Sequence, residues 1–249
     1  MSAERYYEAI TGVLARIHQT QMDAIGRAGE AMAEAIAKGK RVYFFGSGHS
    51  VIPVQDVFPR YGSFVGLFPL YDPRLMWFNV VGPGGARELL WLERREGYAE
   101  QFLQSYPLEA GDCMVVFSHG GLNAAPIEVA LLAREKGLTV VTVSSLANAA
   151  TREATHSSGK KLSDAAHIAI DNCTPPEDAL VDVGQIEKVA AGSTMAAIFV
   201  AMALVAESGA RLAARGVKLT TFVSPNVAGV EKDHNQKVFE EFARHWFPR

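Results

Sequence analysis

The sequence predicts an α/β protein built on a doubly wound parallel sheet, with a long N-terminal helix. Three observations carry that expectation. Short apolar runs end in small polar residues and lead into helical stretches, first in "RVYFFGSGHS" and again in "DCMVVFSHGG" before "APIEVALLAREKG". The runs lack polar alternation, so both faces of each strand are expected to be buried, as in a parallel sheet covered by helices. At 249 residues and 49% hydrophobic content, the chain can bury a substantial core.

The elements follow in order. Tyr7, Ile10, Leu14, Ile17, Gln21, Ile25, Met32 and Ile36 keep close to helical spacing, with charged residues between them. Residues 1–38 are therefore expected to form one amphipathic helix. The alternative is two shorter helices, with a break near Gly26 or Gly29. At 1.5 Å per residue, some 33 residues span roughly 50 Å, a length suited to packing on the domain or on a partner subunit. Strands are expected at Val42–Phe45, in "DCMVVF" and in "LTVVTVSS", with a weaker one in "HIAID". The run "MAAIFVAMALVA" at 195–206 reads as part of a buried helix, since about a dozen residues fall short of the roughly 20 a membrane span needs. The segment "GLFPLYDPRLMWFNVVGPGGAREL" shows no clear strand–helix pattern. Core packing of Phe68, Trp77 and Phe78 is expected there, with a pocket wall or an interface cover as the alternative.

Charge and composition exclude several classes. A formal charge of −3 and a pI near 6.2 give no general attraction to nucleic acid or anionic lipid. The start "MSAERYYEAI" lacks a signal-peptide layout, and Cys113 and Cys173 show neither metal nor redox spacing. A cytoplasmic protein with reduced thiols is expected. No histidine pair stands at i, i+4, so no metal is expected, and no cofactor either.

Ligands of doubly wound sheets bind beyond the carboxyl ends of the strands. There Gly46 and Gly48 allow a sharp turn, Ser47 and Ser50 add hydroxyls, and a helix N-terminus follows. Such a loop suits a phosphate. A dinucleotide fingerprint fails because Val51 stands at its third glycine position, and no G-x-x-x-x-G-K-[ST] occurs. A second loop, "VVFSHGGLNAAPIEVA", offers Ser118, His119, Gly120, Gly121 and Asn123. Ser144 and Ser145 end the next strand, and Gly192-Ser193-Thr194 reads as a helix cap. Glu128 suits the first turn of its helix, opposing the macrodipole.

The stretches "FFGSGHS", "VVFSHGGLNAAPIEVALLAREKGLTVVTVSS" and "HSSGKKLSDAAHIAIDN" resemble the sugar isomerase (SIS) domain family over roughly residues 5 to 245. "ERREGYAEQFL" and "SPNVAG" narrow the likeness to a branch of stand-alone phosphosugar-binding or isomerase proteins. The resemblance implies a flavodoxin-like sheet, a single SIS domain over 1–249, a phosphorylated sugar as ligand and a homodimer or homotetramer. It implies that Ser47, Ser50, Ser118, Gly120, Gly121 and Asn123 hold the phosphate. Gly120 and Asn123 stand where the family has hydroxyl residues. In "QDVFPRYGS" Asp56 takes the place of a glutamate, with Arg60 and Gly62 matching.

Aldose–ketose isomerisation through an enediol needs a base to move a proton between adjacent carbons and an acid to open the ring. The candidates are Asp56, His49, His156 and Glu93, each with a plainer structural reading beside it; His234 is a further histidine in a polar segment. An isomerase is therefore expected. The alternatives are a phosphosugar sensor without chemistry and a lyase acting on an amino-sugar phosphate ether.

Overall fold

The structure, a computed structural model, describes residues 1–82 and 84–246. Helices Ser2–Thr20 (α1) and Met22–Ala37 (α2) lead into strand Val42–Gly46 (β1), helix Val51–Val57 (α3) and strand Leu67–Pro69 (β2). Helices Ala86–Leu92 (α4) and Tyr98–Leu103 (α5) precede strand Cys113–Phe117 (β3), helix Ala124–Glu135 (α6) and strand Thr139–Ser144 (β4). Then come helix Leu146–Thr151 (α7), strand Ile168–Asp171 (β5), the hairpin Ala179–Val181 (β6) and Val189–Ala191 (β7), and helices Ser193–Ala214 (α8) and His234–Trp246 (α9).

The central sheet is parallel, in the order β2-β1-β3-β4-β5. Every residue of β1 and β3 is buried, which explains why neither strand alternates with polar residues. Successive side chains of β1 divide between the faces, Val42 and Phe44 joining one apolar cluster and Tyr43 and Phe45 the other. The first cluster is closed by Ile17, Ile25, Met32 and Leu204, the second by Phe102, Ile127 and Ala130. With this strand order the chain reverses direction between β1 and β3, and that switch point opens a crevice at the strands' carboxyl ends.

The N-terminal helical segment is as long as the sequence predicts, but its interruption falls at Gln21 and not at a glycine. Gln21 still donates its N–H to Ile17 O, at 2.8 Å. Gly29 serves another purpose: a Cβ there would lie 2.5 Å from Glu207 Cγ, so the glycine lets α2 cross α8 closely. By length and composition α8 could cross a membrane, yet half of that apolar window is buried inside the fold, where Val200, Ala201 and Leu204 form core.

The glycine- and proline-rich segment departs from expectation. It supplies edge strand β2 and helix α4, and only Phe68 of its three aromatics is core; Trp77 is 39% exposed and Phe78 63%. Phe242 and Trp246 of α9 stack on Phe68 with ring centroids 5.0 and 5.3 Å away, covering the sheet at this edge.

Candidate functional site

A cavity of about 200 Å³ opens where the loops after β1 and β3 meet the start of α8. Its first wall begins at Gly46. A Cβ on this residue would sit 2.1 Å from Ser50 O, so only glycine lets the chain double back into the short turn Gly48–Ser50. The turn aims Ser47 inward, and its hydroxyl donates to Glu93 Oε2 at 2.8 Å. Glu93 ends α4 and is 6% exposed. Burial pushes its carboxyl above the usual carboxylate range, while the Ser47 hydrogen bond and the charge of Arg94 oppose the shift. His49 lies over Trp77 with centroids 4.6 Å apart, and both rings line the cavity with Leu89.

The second wall is the loop from Ser118 to Asn123. Ser118 donates its N–H to Val143 O at 3.0 Å, and its Oγ accepts from Gly121 N–H at 3.2 Å. Gly120 O takes the Asn148 side-chain amide at 2.8 Å. His119 is gripped: its Nδ1 lies 3.1 Å from Thr174 Oγ1 and 3.4 Å from Asn172 Nδ2, and its Nε2 lies 3.4 Å from Pro176 O. Because an amide nitrogen can only donate, Nδ1 accepts from Asn172 and the ring proton belongs on Nε2, facing Pro176 O.

Two helices begin at this cavity with different electrostatics. The N-terminus of α8 is already capped, since Asp178 accepts from Gly192 N–H, Ser193 N–H and Ser193 Oγ at 3.1, 2.7 and 2.8 Å. The N-terminus of α6 has no side-chain cap at Asn123 and no acid in its first turn. Its positive end is thus uncompensated, and an anion is stabilised there. No lysine or arginine is among the residues lining the cavity.

Ser47, Gly48, His49, Ser50, Glu93, Ser118, His119, Gly120 and Asn123 all line this one cavity. Gly46 lies behind the first loop, and Gly121 supports Ser118 from behind the second. Other expected positions fall elsewhere. Ser144 is buried beside Gly121, and Ser145 caps α7, its Oγ accepting from Asn148 N–H and donating to Thr174 O. Asp56 leaves the site: α3 has only seven residues and turns this side chain outward to pair with Arg60, in a depression shared with Tyr61 and Phe222. His156 also lies outside the cavity lining, buried between Glu96 and Glu128. Glu128 does more than oppose a helix dipole, because its carboxylate accepts from Gly97 N–H and Ala99 N–H. His234 is held by Thr221 O at 2.8 Å.

Sequence reasoning missed Asn172 and Asp178, both of which line the cavity. Asn172 directly follows β5 and is signalled by the strand-end rule. Asp178 sits in an irregular turn at φ 64° with no local signature. Among the described residues, no group of three His, Cys, Asp or Glu side chains is placed to hold a metal ion.

A family model described as the SIS domain matches residues 5–145. A UPF0309 protein of Shouchella clausii is 33% identical over 238 residues, covering 95% of each chain. Another, of Streptomyces coelicolor, is 33% identical over 250 residues, covering 99% of this chain and 97% of its own. Among solved structures, a phosphoheptose isomerase from Francisella tularensis superposes with a TM-score of 0.54 at 14% identity, over 83% of this chain and 95% of its own. The E. coli CFT073 protein c3406, solved in complex with a phosphosugar, gives 0.50 at 11% identity, over 86% and 92%. These likenesses are of fold alone, whereas the family match rests on sequence over more than half the chain: the protein belongs to the SIS domain family.

Proposed function

We propose that the cavity binds a phosphorylated sugar and that the protein interconverts its aldose and ketose forms through an enediol. One observation carries this reading: the buried Glu93 carboxyl, hydrogen-bonded to Ser47, shares a cavity of about 200 Å³ with the uncapped N-terminus of α6. The phosphate lies against the loop from Ser118 to Asn123, where helix and backbone favour an anion. The sugar then extends toward Glu93. With its pKa raised toward neutrality, this carboxylate suits proton transfer near physiological pH. Glu93 takes the proton from the carbon beside the carbonyl, the electron pair moves onto the carbonyl oxygen to form the enediol, and the proton returns to the neighbouring carbon. His49, exposed on the cavity wall against Trp77, transfers the hydroxyl proton that opens the ring. The phosphoheptose isomerase and the phosphosugar-bound protein that share this fold support a sugar phosphate as the ligand class.

Assembly as at least a dimer belongs to the same proposal. Tyr7, Ile186 and Met195 are exposed on α1, before β7 and on α8, and sedimentation velocity gives the oligomeric state directly.

The deciding experiment incubates the protein in D₂O with a panel of aldose, ketose and amino-sugar phosphates, each followed by proton NMR. Loss of the C2 proton signal is expected for one member. Line broadening without exchange would replace the isomerase with a phosphosugar sensor, a reading that Gly120 and Asn123 favour by removing two hydroxyls from the phosphate loop. Release of lactate from an amino-sugar phosphate ether would make the protein a lyase.

A further inference from the structure

We infer that His156 is a positioning residue for Glu93, holding the turn at residues 93–99 against α6 from a buried seat between Glu96 and Glu128. The turn is fixed at three points. Glu93 O accepts Ala125 N–H at 2.9 Å, and the Glu128 carboxylate accepts Gly97 N–H at 2.6 Å and Ala99 N–H at 3.2 Å. On its outer side Glu96 accepts both the N–H and the hydroxyl of Ser157. The His156 side chain is 8% exposed, and its Nε2 lies 3.7 Å from Glu128 Oε1 and 3.9 Å from Glu96 Oε1.

The orientation of the ring follows from its other nitrogen. Ser158 N–H donates to Nδ1 at 3.1 Å, so in the neutral ring the proton sits on Nε2 and points at the two carboxylates. Nε2 is buried and has no partner within hydrogen-bond distance. A buried donor of this kind faces strong pressure to close on an acceptor. The only acids recorded within ion-pair range are the two that tie down the turn. Removing the ring leaves two carboxylates with no donor between them, and their repulsion loosens the backbone that carries Glu93. A sub-ångström displacement at such a group is enough to matter for proton transfer.

The catalytic consequence rests on the proposed role of Glu93, but the positioning itself is measured without it. The full chain is labelled with ¹³C at the glutamate carboxyls, and the Glu93 signal is identified by its loss in Glu93→Gln. In His156→Ala the Glu93 titration midpoint is expected to fall toward the ordinary carboxylate value, as the loosened turn admits water. Affinity for inorganic phosphate is expected to stay unchanged, and His156→Gln, whose amide restores an N–H donor, to recover the wild-type midpoint. An unchanged midpoint in folded His156→Ala overturns the inference, as does a His156→Gln midpoint displaced as far as that of His156→Ala. If His156→Ala does not fold, Glu96→Ala, which opens only the outer side of the clamp, is read by the same two criteria. Full C2 proton exchange by Glu93→Gln would instead remove Glu93 from the chemistry and leave the His156 result standing.

Discussion

The two loops that close the cavity look alike in sequence, Gly-Ser-Gly-His-Ser at 46–50 and Ser-His-Gly-Gly at 118–121, but they treat their histidines in opposite ways. His119 is held at both ring nitrogens by Asn172, Thr174 and Pro176. His49 has only an aromatic neighbour, Trp77. The carboxylates differ in the same sense: Asp178, on the second side, commits its oxygens to capping α8, while Glu93, on the first, keeps one serine as its hydrogen-bond partner. One wall is built to hold a charge still, and the other keeps its acid–base groups available. Residue type does not decide the role of a side chain at this site; the partners it has already satisfied do.

Four substitutions test that contrast. Glu93→Gln keeps the shape of the reactive wall but removes its base, so turnover is expected to fall by about 10²–10⁴-fold while inorganic phosphate still binds. The same variant has a thermal signature. The folded protein binds a proton to Glu93 over a pH range where the unfolded chain does not, so wild-type stability falls as pH rises from the ordinary carboxylate value through the raised one. Glu93→Gln flattens that fall in melts recorded at several pH values.

Exchanging the histidines should separate the walls. His49→Gln is expected to slow ring opening by about 100-fold with little change in phosphate affinity. His119→Gln is expected to weaken phosphate binding by about tenfold, the worth of one hydrogen bond to a charged group, with exchange at saturation nearly intact. Equal effects on both readouts would erase the distinction. A smaller effect belongs to Ser47→Ala. Its hydroxyl lowers the Glu93 pKa, so its loss raises that pKa further and moves the acidic limb of the rate profile to higher pH. Least is expected of Asp56→Asn, which leaves exchange unchanged and removes a half-exposed pair with Arg60 worth under about 1 kcal/mol in a thermal melt.

The strands that carry the site were legible because burial on both faces writes itself as unbroken apolar runs, as in Val42–Gly46 and Cys113–Phe117. Both cavity loops could be read from the small residues that end those runs. What failed to show was whatever depends on distant packing. Strand β2 has three residues, too few to set a period. Glu93 stands in "WLERREG", a string that reads as a solvated charged face, and only Ser47 and the start of α6 bury it. Asp56 is the reverse case: its motif fits the family, but a seven-residue helix delivers it to the outer surface. His156 stands in a polar string that marks it as unusual without placing it, because its two glutamates meet it only through the fold.

The stacking of α9 on Phe68 has a consequence for how the protein is made. Strand β2 is short and lies at the margin of the sheet, where unpaired backbone invites other chains. Its cover, Phe242 and Trp246, is encoded near the far end of the sequence. On the ribosome the sheet can therefore assemble well before its margin is sealed, and for that interval the nascent chain depends on dilution or a chaperone for protection.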